Sequence, residues 1–144
     1  MRFVWAEHGS PDYWKAVELR RAVLRVPLGL DFTDEELEAE AGQRTLLTFD
    51  SEGALSGCLV LVPLTEGTVQ MRQVATHPDY QGRGVGREMV YESERWAREN
   101  GFNRMYLHAR KVVVGFYERL GYQVCSEEYE EVGIPHLSME KPLV

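Results

Sequence analysis

The sequence predicts a mixed α/β (α+β) fold, and three observations carry that expectation. Short strand-like runs, such as Thr45–Phe49, Cys58–Val62 and Met105–Ala109, recur along the chain. Longer runs with apolar residues at helical spacing separate them. Past the chain's midpoint, a glycine-rich stretch joins a strand-like run, Met71–Thr76, to a helix-like run, Arg87–Asn100. At 144 residues, with no linker, repeat or long like-charge block, the chain is expected to form one domain over residues 1–144, with a core that needs no disulfide or structural metal.

The elements follow in order. Phe3 and Trp5 alternate with polar neighbours as in a short first strand. Ser10 is suited to cap a helix and Pro11 to its first turn, while Tyr13, Ala16, Val17, Val23 and Leu24 share one face. Arg20 falls on that stripe, where an arginine usually lies along the edge with its head in water. Pro27–Gly29 break the helix, and Thr33-Asp34-Glu35-Glu36 forms a capping box for a second short helix through Glu40. Its acids favour the helix dipole and read as a solvated face, not as metal ligands or a base.

Residues 45–49 and 54–64, about the turn at Ser51-Glu52-Gly53, read as a hairpin, and Thr65-Glu66-Gly67-Thr68 turns into the strand Val69–Thr76. Val85, Met89, Val90, Ser93, Trp96 and Ala97 give the following helix a buried face, with Gly101 as its left-handed end. A strand over 104–109, a helix over 112–120 closed by Gly121, a strand over 122–129, a turn at Gly133-Ile134-Pro135 and a strand over 136–141 complete the chain.

The glycine-rich stretch is Gln81-Gly82-Arg83-Gly84-Val85-Gly86. Glycines let successive amides turn inward, and the helix that follows adds unpaired N–H groups and the positive end of its dipole, which suits a diphosphate. A Walker loop would need Lys-Ser/Thr where Arg87 and Glu88 stand, and a dinucleotide fingerprint would need glycine at Arg87. What remains, Gln/Arg-x-x-Gly-x-Gly after strand and Pro78, resembles the coenzyme A loop of the GNAT superfamily of N-acetyltransferases. Val114-Gly115-Phe116-Tyr117-Glu118-Arg119-Leu120-Gly121-Tyr122 is similar to that superfamily's Phe-Tyr-x-x-x-Gly-Phe signature, and the β-αα-βββ-α-β-α-ββ order matches as well. The likeness covers roughly Gln70 to Lys141, with a looser fit from Phe3 to Pro63. Tyr129–Met139 resembles the Glu-x-Gly-Ile-Pro-His-x-x-Met ending of the ElaA-like branch, whereas Val26-Pro27-Leu28-Gly29-Leu30 departs from that branch's Val-Glu-Gln.

The resemblance implies the acyl-CoA N-acyltransferase fold: a mixed central sheet with a splayed pair of strands and about four helices. It implies acetyl-CoA as cosubstrate and a primary amine of a small molecule or peptide as acceptor, with direct attack on the thioester. Backbone groups of Val74, Ala75 and Thr76 would meet the pantetheine and help hold the oxyanion. Gln81, Gly82, Arg83, Gly84, Val85, Gly86 and Arg87 would hold the pyrophosphate. Tyr117 matches the superfamily tyrosine that gives a proton to the departing thiolate, and it also touches the cofactor. Candidates for drawing off the ammonium proton are His108, Glu130, Glu131 and His136. Arg20 borders the acceptor cleft in such a fold. Val113 or Val114 stands where relatives commonly carry alanine, and a bulkier side chain there would narrow the adenine or pantetheine side of the cleft. The alternative is a catalytically silent module that binds acyl-CoA.

A net charge of −7 and a pI near 5.1 argue against sequence-independent nucleic-acid binding and mildly favour cationic amines. Arg72, Arg83, Arg87, Arg110 and Lys111 fall near the loop or the strand ends beside it. Cys58 and Cys125 lie in apolar runs and read as core thiols, fitting a reducing cytoplasm. No metal is called for. No signal-like or spanning run argues for a membrane, and dimers among the proteins it resembles allow a homodimer.

Overall fold

Helix α1 begins where the sequence provides a cap. Ser10 Oγ accepts from the amide of Tyr13 at 3.2 Å, and Pro11 opens the helix over Pro11–Arg20 in the computed structural model, which describes residues 1–143. A single π turn, Arg21–Arg25, extends it, with the Val26 amide reaching back to Arg21 O. A 3₁₀ turn, Val26–Leu28, then ends at Gly29, whose φ of 70° supplies the left-handed stop. Helix α2, Asp34–Glu38, carries the expected capping box: Glu36 N donates to Thr33 Oγ1 at 3.1 Å and Thr33 N to Glu36 Oε1 at 3.2 Å.

The strands are β1 (Arg2–Ala6), β2 (Arg44–Phe49), β3 (Leu55–Pro63), β4 (Thr68–Thr76), β5 (Arg104–Arg110), β6 (Gln123–Val124), β7 (Tyr129–Glu131) and β8 (Ile134–Pro142). Helix α3 covers Val85–Glu99 and α4 covers Val114–Arg119. The chain falls into two compact units. The first holds Met1–Val62 and Gln73–Ser93; the second holds Pro63–Arg72 and the chain from Glu94 onward. Strand β4 and helix α3 each contribute to both.

In the first unit, β1 runs antiparallel to β2 from Arg2/Phe49 to Ala6/Thr45, and β2 runs antiparallel to β3 from Arg44/Leu61 to Phe49/Leu55 with a bulge after Thr48. The last amide past β4, His77 N, donates to Ser56 O at 2.8 Å. Ala16, Leu19, Leu47, Phe49, Cys58 and Ala75 form the core there, with Val23 and Leu24 of the π turn packed against it. In the second unit the order is β4-β5-β8-β6, and β7 pairs β8. β4 pairs β5 in parallel from Thr68/Arg104 to Met71/Leu107, then runs on to Thr76. Its residue Gln73 adopts a φ of 55°, which breaks the regular pleat where that pairing has ended. No helix among the described residues is long and apolar enough to cross a membrane.

Several expectations are corrected. α3 starts at Val85, ahead of Arg87, and α4 at Val114, after a 3₁₀ turn over Lys111–Val113. The strand expected over 122–129 is two short ones. Ser126 Oγ accepts from Ser138 N at 2.9 Å, so a side chain takes a ladder bond that a backbone carbonyl would otherwise fill, and pairing resumes only at Tyr129/His136. The tail turn sits at Val132-Gly133, both at positive φ, so Ile134 and Pro135 already belong to β8. Cys58 is buried, but Cys125 is exposed, as are both residues of the short strand β6 that precedes it. Arg20 is fully buried instead of reaching water, because Glu40 lies inside to receive it.

Candidate active site

The glycine-rich segment lies wholly in the first unit. Thr76 ends β4, a 3₁₀ turn spans Pro78–Tyr80, and Gln81 Nε2 reaches back to Thr76 O at 3.4 Å. Gly82 and Gly84 stand at φ of 77° and 81°, a conformation that costs any other L residue roughly 1–2 kcal/mol. A Cβ on Gly82 would meet nothing within 4 Å, and one on Gly84 would meet Arg87 Nη2 at 3.2 Å. The bond from Glu88 N to Gly84 O, at 3.1 Å, is among the first of α3, so the amides of Val85, Gly86 and Arg87 have no intrahelical acceptor. Gly57 lets this helix start close to β3: a Cβ there would lie 2.9 Å from Met89 Cε and 3.1 Å from Val85 Cγ1.

The loop has a brace the sequence did not suggest. Asp50, at the β2–β3 turn, accepts from the Tyr80 hydroxyl and from the amides of Glu52 and Ala54, the latter two both at 2.9 Å. The Tyr80 bond, then these amides, holds the Asp50 carboxyl below the usual carboxylate range. The Arg83 guanidinium sits over the Tyr80 ring at 5.5 Å. Signals for it existed only as an acid beside a turn and an aromatic after Pro78.

In the second unit, β5, β7 and β8 turn one set of alternate residues to a common face. His108 is opposite Ser138, and Tyr129 opposite His136. His108 Nδ1 lies 2.8 Å from Glu131 Oε1, and His136 Nε2 lies 3.6 Å from Glu131 Oε2. His136 Nδ1 is 2.8 Å from Ile134 O; a carbonyl only accepts, so that nitrogen carries the proton and Nε2 is turned to Glu131. Tyr106 Oη joins His108 Nε2 at 3.2 Å to Ser138 Oγ at 2.9 Å, and Tyr129 Oη reaches the same Ser138 Oγ at 3.0 Å. Three of the four candidate bases therefore meet. Glu130 alternates to the other side of β7. Tyr106, Tyr129 and Ser138 were not anticipated, since only the register makes them neighbours. His108 and Glu131 reach solvent, whereas His136 is 5% exposed.

Tyr117 is separate from this cluster. It lies on α4, buried, edge-on to Phe116 at 5.0 Å and to Tyr122 at 5.6 Å between centroids. Burial pushes its hydroxyl up to about 12. Beneath it, Tyr122 donates to buried Glu94 at 2.7 Å, and Lys141 Nζ donates to the other Glu94 oxygen at 2.9 Å and to Leu120 O at 2.8 Å, tying α3 to the end of α4. Of the departures, Val113 is exposed at the start of α4.

Both the sequence and the fold have counterparts among known proteins. The model of the acetyltransferase (GNAT) family matches residues 12–122. The chain belongs to the GNAT family. A Bacillus subtilis (strain 168) relative with a provisional acetyltransferase name is 30% identical over 90% of this chain and 89% of its own length. Escherichia coli ElaA, at 21% identity, superposes with a TM-score of 0.81 over 98% of this chain and 99% of that one. An aminoglycoside 6'-N-acetyltransferase, solved with coenzyme A, superposes at 0.80 with 14% identity, covering 100% and 98% of the two chains. The fold of this GNAT chain is thus that of the acyl-CoA N-acyltransferases.

Proposed function

We propose that this GNAT protein transfers an acetyl group from acetyl-CoA to a primary amine of a small molecule or peptide by direct attack, with residues 1–144 serving as one N-acetyltransferase domain. The observation that carries the reading is the loop of residues 81–87. Its two left-handed glycines and the unpaired amides of Val85, Gly86 and Arg87 suit a diphosphate, with Arg83 and Arg87 adding positive charge. The CoA-bound aminoglycoside acetyltransferase of the same fold supports that assignment. Acetyl-CoA supplies the thioester.

Each of the chain's groups has a task. Backbone groups of Val74, Ala75 and Thr76, on the part of β4 beyond its last β5 pair, bind the pantetheine amides and the carbonyl oxygen; one such donor is typically worth about 3 kcal/mol in the transition state. Tyr117, protonated throughout the physiological range, gives its proton to the departing sulfur. His108 and Glu131, with His136 turned toward Glu131, draw the proton from the acceptor ammonium. The reading places the protein in the cytoplasm, with acetyl-CoA and an amine as its partners, and allows a homodimer.

The test is a panel of primary amines with acetyl-CoA, following free thiol, beside thermal shift with acetyl-CoA alone. Stabilisation by acetyl-CoA together with thiol release for at least one amine is expected. Stabilisation with no release from any amine leaves only acyl-CoA sensing, and the absence of both removes the loop assignment.

A further inference from the structure

Three arginines fall within residues 20–25, and two of them are already neutralised. Arg20 is fully buried and forks onto Glu40, with Nη1 to Oε1 at 2.9 Å and Nη2 to Oε2 at 2.6 Å; Tyr13 Oη donates to the same Oε1 at 2.8 Å. Arg21 Nε donates to Asp31 at 2.6 Å, and its Nη1 donates to Glu18. Arg25 is different. Its side chain has no hydrogen-bond or ion-pair partner among the described residues: its Nε, like that of Arg20, is buried without one, but here no carboxylate meets the rest of the fork. Its guanidinium lies 4.5 Å from the centre of the Phe32 ring, while Arg20 lies 4.6 Å from the same ring.

An unpaired, partly buried guanidinium is costly unless it has an anion to meet. The surrounding chain holds it ready. Arg25 ends the π turn, the kind of irregularity that recurs at functional sites, and Leu30 N donates to Arg25 O at 3.0 Å while Gly29 N donates to Val26 O at 3.0 Å. The turn is anchored by Val23 and Leu24 on the core that contains Ala75. The turn that ends in Arg25 therefore packs on the same core as Ala75 of β4, the strand assigned above to the thioester. Val26 and Leu30 expose apolar side chains on either side of the Gly29 turn.

We infer that Arg25 is a specificity-determining residue that receives an oxyanion of the acceptor, so that the substrates are small primary amines that also carry a carboxylate or a phosphate. The inference rests on the N-acetyltransferase reading. The planar fork suits either oxyanion, and the local charge of Arg25 acts at contact range where the net charge of −7 does not. The Phe32 face fixes the plane of the fork before the ligand arrives.

The experiment compares four amines of equal chain length: an ω-amino carboxylate, its phosphate monoester counterpart, the plain alkylamine and the diamine. Thiol release and, separately, thermal stabilisation in the presence of coenzyme A are measured for wild type, Arg25→Gln and Arg25→Lys. Expected is a wild-type preference for an oxyanion-bearing amine. Arg25→Gln should lower kcat/KM for that amine by about 30-fold or more, mainly through KM, with little change for the plain alkylamine and partial recovery in Arg25→Lys. The carboxylate and phosphate arms say which oxyanion is preferred. Equal use of plain and oxyanion-bearing amines by wild type overturns the inference but leaves the acetyltransferase reading intact. If no amine releases thiol, that reading fails, and the stabilisation arm still decides about Arg25: the same small shift from all four amines removes it.

Discussion

Tyr117 is the residue whose protonation is easiest to follow. Replacing it with phenylalanine should cut turnover about 100-fold or more while leaving acetyl-CoA stabilisation intact; unchanged turnover would end its role as acid. Its titration gives a second readout. In the folded protein burial holds the hydroxyl up to about 12, whereas an unfolded tyrosine loses its proton near 10. Between those values the native state binds more protons than the unfolded state, so stability falls as pH rises. Wild type should therefore lose about 2 kcal/mol more than Tyr117→Phe across that window, read as urea midpoints at pH 9 and pH 11.5. The pair of Arg20 and Glu40 makes an opposite case. Glu40→Gln leaves a buried guanidinium uncompensated and should cost about 3–5 kcal/mol, whereas replacing both partners with apolar residues of similar volume should recover most of it. Arg20 shows the limit of reading residues singly: its place on the helix face was legible, but its burial depended on Glu40, which lies on another element.

At the scale of elements, Gly57 and Gly84 do different work. Gly57→Ala forces a methyl into Met89 and Val85 and should destabilise by about 1–3 kcal/mol in urea unfolding. Gly84→Val meets only the flexible end of Arg87; its cost is backbone conformation, and the expected result is loss of stabilisation by acetyl-CoA with a smaller change in the unbound melting temperature. The capping box at Thr33 and the helix start after Gly84 could be read from sequence because caps and glycines act within a few residues. The grouping of His108, Glu131 and His136 with Tyr106, Tyr129 and Ser138 could be read only in part. Alternation shows which residues of one strand share a face, but the pairing of His108 with Ser138 is set across thirty residues of chain. The split between β6 and β7 escaped for a related reason, because Ser126 caps an amide on a distant strand.

For the whole molecule, order of elements and order of motifs together carried the family, since each alone is common and their coincidence is not. Net charge acts at this scale too. With −7 overall, the protein should pass unretained through a heparin column at low salt, and retention would overturn the expectation that polyanions are not bound. The two units held different parts of the expected machinery, and nothing in composition or periodicity marked where one ends and the other begins.

The position of Cys125 bears on how the thiol measurements are carried out. A chromogenic disulfide reagent would report this outward sulfur alongside coenzyme released by catalysis, whereas Cys58, pushed up to about 12 inside the core, would stay silent. Stored in air, the same atom could link two chains covalently and counterfeit an assembly, so Cys125→Ser is the background in which rates and sizes are best compared.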